Sequence, residues 1–168
     1  EMHRIFDGII VTPVNVEELI LGEATWAATR SVLAGMAVLL IAFLFGLVHT
    51  PLALLALPIA FLTGLVFAAL ALMLVSVAPS IGTLNNFFTV FITPMFFFSG
   101  IFFPVDRFPG LIEMIAWTFP LTYAAHVSRG LTLGELNVTM IYSTLALVGY
   151  TVVTLYLAVR LMRRRLIK

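Results

Sequence analysis

From Ser31 to Val105 the sequence contains no Asp, Glu, Lys or Arg. No other feature restricts the fold so strongly. A helix crossing roughly 30 Å of hydrocarbon needs about 20 apolar residues, so the run has room for about three crossings. A soluble core does not explain it, because helices at a water boundary alternate a polar face with an apolar one. The whole chain agrees, at 62% hydrophobic and 10% charged residues, with a mean hydropathy of +1.15. Lipid offers the backbone no hydrogen-bond partner, which makes helices the economical spanning structure for such segments. The expected fold is therefore all-α: one compact polytopic membrane domain.

Five of the nine basic residues, Arg160, Arg163, Arg164, Arg165 and Lys168, fall in the last nine positions. Basic residues flanking a span are retained on the cytoplasmic side, so the C-terminus is expected inside. A basic run directly after a span reads as a topology anchor, not as a nucleic-acid contact. The chain has no cysteine, which removes disulfides and thiolate metal sites. It opens on Glu1 without a signal-peptide pattern, and reads as the C-terminal part of a longer protein.

Along the chain, Ile5, Phe6, Ile9 and Ile10 recur at helical spacing, with His3, Arg4 and Asp7 on the other side and Pro13 as the stop. A segment this short cannot span, and is expected to lie on the membrane surface or pack on a partner. Asn15, with Glu18 three residues on, forms a capping-box pattern. Spans are expected near 16–48, 52–77, 83–103 and 137–159, with a turn at His49-Thr50-Pro51 and a kink at Pro58. The first span exceeds the bilayer, so its early turns, carrying Glu17, Glu18 and Glu23, should protrude, with Arg30 snorkelling to the same side. Segment 104–136 holds Pro104, Pro109 and Pro120, several charges, and two apolar stretches too short to cross. It is expected to re-enter from the outer side, with a helix break at Pro120. An even number of spans puts both ends in the cytoplasm.

No catalytic constellation is visible. The carboxylates sit at span ends, and His3, His49 and His126 are scattered without metal spacing. No glycine-rich phosphate loop precedes Lys-Ser or Lys-Thr. Polar residues at membrane depth are the remaining candidates: Thr63, Ser76, Asn85, Asn86, Thr89, Thr93 and Ser99. Such groups bond across helices as packing glue more often than they meet substrate. The phenylalanines between Phe87 and Phe103 read as lipid-facing or core, although a wide apolar surface suits a lipid-like substrate.

The stretch Phe91-Ile-Thr-Pro-Met-Phe-Phe-Phe-Ser-Gly-Ile-Phe-Phe-Pro104, then Val-Asp-Arg-Phe-Pro109, Phe119-Pro-Leu-Thr-Tyr123 and Arg129 resembles the signature of the type-2 ATP-binding-cassette permeases. Within them it is most similar to the nodulation-factor and lipo-oligosaccharide exporter permeases, whose opening Phe6-Asp-Gly-Ile-Ile-Val-Thr-Pro13 and Leu21-Gly-Glu23 also resemble. The resemblance covers nearly the whole chain. It implies spans three to six of a six-span permease that works as a homo- or heterodimer with two ATPase subunits in the inner membrane. It implies a lipid-linked, glycolipid or amphipathic substrate, with ATP bound and hydrolysed by the partner subunit. The permease itself would need no cofactor or metal, bind no nucleic acid and not be an enzyme. Residues 1–13 would be the coupling helix, with Arg4, Phe6, Asp7, Ile9 and Pro13 meeting the ATPase. Pro94, Ser99, Gly100, Pro104, Pro109, Pro120, Tyr123 and Arg129 would build the re-entrant gate. A scaffold subunit without a pathway and a channel are the competing classes. A channel usually shows a charged ring or carbonyl filter, and neither pattern is present.

Overall fold

A computed structural model describes residues 15–77, 82, 86–102, 105 and 109–166; for Val16, Phe88, Arg165 and Leu166 only the backbone is described. Every regular element among these residues is helical. Helix α1 spans Val16–Leu44, α2 Ala56–Val77, α3 Thr93–Phe98, α4 Gly110–Ala116, α5 Pro120–Leu133 and α6 Val138–Leu166. A 3-10 turn, Pro51–Leu55, leads into α2, and a π turn, Phe88–Ile92, leads into α3.

Three helical stretches are long and apolar enough to cross a membrane: Glu17–Leu44, Pro51–Val77 and Val138–Arg164. The expected third span, 83–103, is helical over 86–98 among the described residues. At 1.5 Å per residue that is about 20 Å, short of the hydrocarbon thickness; residues 83–85 and 103 lie outside the described set.

Local chemistry accounts for the boundaries. The Glu18 carboxylate accepts a hydrogen bond from the Asn15 backbone N–H at 3.2 Å, as the capping-box pattern requires. The C-terminus of α1 corrects the sequence reading, which carried the helix to Val48. Gly46 sits at φ +69, donates to the Phe43 carbonyl at 3.0 Å, and Leu47 donates to Ala42 at 2.9 Å. This is a Schellman stop, and only a residue at ease in the left-handed region closes it. Pro58 lies in the first turn of α2, and the 3-10 segment ahead of it supplies the tighter geometry. The chain therefore changes helix type before Pro58's missing N–H could interrupt the ladder. Pro94 acts similarly: the π turn widens the helix in front of it, easing the ring's clash with the carbonyl four residues back. Helix α6 runs to Leu166, past the expected end at 159.

Helices α1 and α2 pack through small residues. A Cβ on Gly64 would overlap Ser31 Oγ and lie 2.7 Å from Ala28 Cα, and one on Gly35 would lie 3.3 Å from Ala60 Cβ. Ser31 Oγ donates across this seam to the Ala60 carbonyl at 2.7 Å. Close backbone approach with a hydroxyl bridge is how helices associate where lipid removes the hydrophobic drive. Helix α6 buries a stripe at three- and four-residue spacing: Met140, Ser143, Leu147, Thr151, Thr154, Ala158 and Met162. Its hydroxyls return to their own helix, Thr151 to Leu147 at 2.8 Å and Thr154 to Tyr150 at 2.7 Å. Small polar residues can thus be buried without an orphaned group.

The two ends of the bundle differ. Glu17 and Arg163 approach to 3.9 Å, above a buried cluster of Ile20, Ala69, Ala158 and Met162. The start of α1, the end of α2 and the end of α6 therefore share one end. At the other, the loop before the 3-10 turn holds the end of α5: His49 N–H donates to the Thr132 carbonyl at 3.2 Å, and Thr50 Oγ1 to Leu131 at 3.0 Å. These bonds satisfy carbonyls that the end of α5 leaves open.

Candidate functional site

Helix α5 packs along α6, and the short, mostly exposed α4 precedes it across a sharp break. Pro109 caps α4, its carbonyl accepting from Ile112 at 2.8 Å and Glu113 at 3.1 Å. Phe119 is extended, at φ −89 and ψ 134, and Pro120 opens α5. A residue before proline avoids the helical region, and proline suits the first helical position, so the chain must break here. The buried Thr122 hydroxyl donates back to the Ala116 carbonyl at 2.5 Å, closing the end of α4. Gly134, at φ +80, stops α5. A Cβ there would strike Thr50 Cγ2 at 2.6 Å, so this glycine serves both conformation and packing.

The register of α5 against α6 is antiparallel. Near the start of α6, a Cβ on Gly130 would meet Met140 Sδ at 2.8 Å. Further along, His126 Nδ1 lies 3.3 Å from Ser143 Oγ. Ser143 Oγ also lies 3.0 Å from the Thr139 carbonyl, to which it donates within its own helix. At the tip, Tyr150 OH donates to the Thr118 carbonyl at 2.6 Å. Tyr150 follows Val138 by twelve residues, about 18 Å of helix rise. The α4–α5 turn therefore sits beside the middle of α6. Rings line this contact: Trp117 lies 5.4 Å from Tyr123 and 5.6 Å from His126, and Tyr123 lies 6.1 Å from Tyr150. The tip also touches the helix ending in α3, through Phe91 and Phe119 at 6.2 Å.

A second node joins α5 to the end of α3. Ser99 is fully buried, its Oγ donating to Phe96 at 2.9 Å. Gly100 follows at φ +82. Arg129 Nη2 donates to the Gly100 carbonyl at 2.7 Å and to Ile101 at 3.3 Å. A guanidinium on helix-terminal carbonyls is a favourable charge–dipole arrangement. Among the described residues no carboxylate pairs with Arg129.

The structure thus brings together Ser99, Gly100 and Arg129 at one node, and Pro120 and Tyr123 at another. Pro94 and Pro109 stand at element boundaries, exposed. Arg4, Phe6, Asp7, Ile9, Pro13 and Pro104 lie outside the described residues. Of the polar candidates at depth, Thr63, Ser76 and Ser99 bond to carbonyls of their own helices, while Asn86 and Thr93 are exposed and Asn85 is not described. Arg129 bridges two elements as well, and the other bridges are made by Ser31, Thr50, Thr122, His126, Ser143 and Tyr150, for which the sequence reading foresaw no such contact. The one available signal was a polar atom inside an apolar run.

Comparison with known proteins gives a consistent answer. Residues 1–133 match the family described as ABC-2 type transporter. The chain is 38% identical over 163 residues to Nodulation protein J of Rhizobium meliloti (strain 1021), covering 97% of this chain and 62% of that protein. It is 34% identical over 168 residues to Nodulation protein J of Rhizobium leguminosarum bv. trifolii, covering 100% and 64%, and 33% identical over 164 residues to that of Sinorhizobium fredii, covering 98% and 63%. It therefore spans less than two thirds of the length of these relatives. No solved structure matches it. With most of its length inside the family match, the chain belongs to the ABC-2 type transporter family.

Proposed function

We propose that this chain is the permease of an ATP-binding-cassette exporter in the inner membrane. It moves a lipid-linked, glycolipid or other amphipathic molecule out of the cytoplasm, and a separate ATPase subunit supplies the energy. The observation that carries the reading is the α4–α5 hairpin, whose tip lies beside Tyr150 at mid-height of α6. From that turn α5 runs back to the end of the bundle opposite the basic residues of α6. Basic flanks favour the cytoplasm, so the hairpin enters the bilayer from outside without crossing it. The segment expected at 83–103 is read as the remaining crossing, giving four spans with both ends cytoplasmic. A second permease subunit completes the pathway.

On this reading residues 1–13 are the coupling helix, with Arg4, Phe6, Asp7, Ile9 and Pro13 facing the ATPase. They lead directly into α1. Pro94, Ser99, Gly100, Pro104, Pro109, Pro120, Tyr123 and Arg129 shape the outer gate. The test is reconstitution in vesicles with the neighbouring ATPase and a fluorescent glycolipid. Movement that requires ATP and the ATPase is expected. Equal movement without ATP, or no association with any such ATPase, refutes the proposal.

A further inference from the structure

Beside the Arg129 node lies a groove of about 380 Å³. Helix α1 contributes Ser31, α2 contributes Thr63 and Phe67, α5 contributes Leu121 and Ser128, and the turn after α3 contributes Ile101. Two of its hydroxyls are turned to backbone: Ser31 to the Ala28 and Ala60 carbonyls, Thr63 to Ile59. The surface they leave is mostly hydrocarbon, with the Ser128 hydroxyl at the Arg129 end. From Leu121 to Ser128 the groove follows α5 for about 10 Å. Its deep end adjoins the hairpin tip at mid-height of α6, and its shallow end adjoins Arg129. That side chain is exposed, and its guanidinium is 3.3 Å from the carbonyl of the wall residue Ile101. The arrangement is apolar at depth and cationic at the mouth. It matches a molecule with a hydrocarbon tail and an anionic head, since a guanidinium presents its N–H groups to phosphate in fork geometry.

We propose that this groove seats one acyl chain of an anionic phospholipid, with Arg129 at its mouth binding the phosphate head. The inference rests on the exporter reading only in assigning this end of the bundle to the outer leaflet. The protein in nanodiscs is irradiated with phosphatidylglycerol or phosphatidylcholine carrying a diazirine on the acyl chain, and crosslinked peptides are mapped. Phosphatidylglycerol should label residues 60–67 and 121–128 about fivefold more than phosphatidylcholine, the factor one basic residue contributes beside anionic lipid. Arg129→Gln should bring the two lipids level, and Arg129→Lys should keep most of the preference. Ala125→Phe, which fills the groove, should remove labelling there by both lipids. Equal labelling of the unmodified protein by both lipids, or labelling that survives Ala125→Phe, overturns the proposal. The first comparison needs no variant, so a misfolded mutant cannot obscure it. Neither result bears on association with an ATPase, which tests the exporter reading separately.

Discussion

Gly64→Ala should separate packing from helix propensity more cleanly than any other single change. The added Cβ overlaps Ser31 Oγ and lies 2.7 Å from Ala28 Cα, where ordinary contact begins near 3.4 Å. The second obstacle is backbone, so α1 and α2 must part by about 0.7 Å, the kind of overpacking that costs about 1–3 kcal/mol. Parting also strains the Ser31 bond to the Ala60 carbonyl, worth about 0.6 kcal/mol in a bilayer setting. Alanine's helix propensity returns up to about 1 kcal/mol. The expected net loss is about 1–3 kcal/mol. The control is Gly149→Ala, where a Cβ meets nothing within 4 Å; only the propensity acts there, and the protein should be unchanged or slightly more stable. SDS titration in mixed micelles, followed by circular dichroism, measures both. Ser31→Ala in the Gly64→Ala background should restore part of the loss, because Ala28 remains in the way. A Gly64→Ala protein as stable as the parent, or a Gly149→Ala protein equally weakened, refutes the packing argument.

Tyr150→Phe removes the hydroxyl held by the Thr118 carbonyl and should cost about 1 kcal/mol; hydrogen exchange should quicken at 117–121 and stay slow through α6, and uniform exchange would place the tip elsewhere. The native chain lacks cysteine, so Leu47→Cys and Leu136→Cys should react with an impermeant maleimide from outside, and Glu18→Cys only after the membrane is opened; reaction of all three from one side contradicts the topology. Phe6→Ala with Asp7→Ala should leave the permease inserted while ATPase pull-down falls about thirtyfold, the equivalent of the 2 kcal/mol typical of an aromatic anchor. Normal binding and transport in that variant would reduce residues 1–12 to a membrane-surface helix.

The sequence made the helical class and the hairpin's break legible for simple reasons. An uncharged run of this length has one common physical meaning, and Phe119-Pro120 combines two backbone restrictions at one bond. The Asn15 cap was equally plain, since side-chain type and spacing define it. What stayed hidden depends on partners distant in the chain. Gly46 looked like any other glycine in an apolar helix until its two reverse bonds were seen. Gly64 became a packing residue only when α1 crossed it at Ser31. Periodicity could not distinguish Tyr150 from a lipid-facing tyrosine, because its acceptor is a carbonyl 32 positions earlier. The hydroxyls at depth misled in the other direction. Thr63, Ser76 and Ser99 stood out as polar, yet each is satisfied within its own turn and carries little information about neighbours.

Helices α1 and α6 each have 29 residues and rise about 43 Å, more than the roughly 30 Å of hydrocarbon they must cross. The Glu17–Arg163 ion pair is exposed at 59% and 63% and long at 3.9 Å, so it contributes little to holding the helices together. The binding force is the packing beneath it, where Ile20, Ala158 and Met162 are buried against α2. Close-packed side chains transmit displacement because they cannot be compressed. At its other end α1 stops at Gly46, and within a few residues His49 and Thr50 are bonded to the last carbonyls of α5. A shift of α1 along its axis therefore reaches the hairpin through a short loop tied at both sides, without passing through lipid. Besides α2, which packs along α1 directly, α5 is the element that this loop ties to α1.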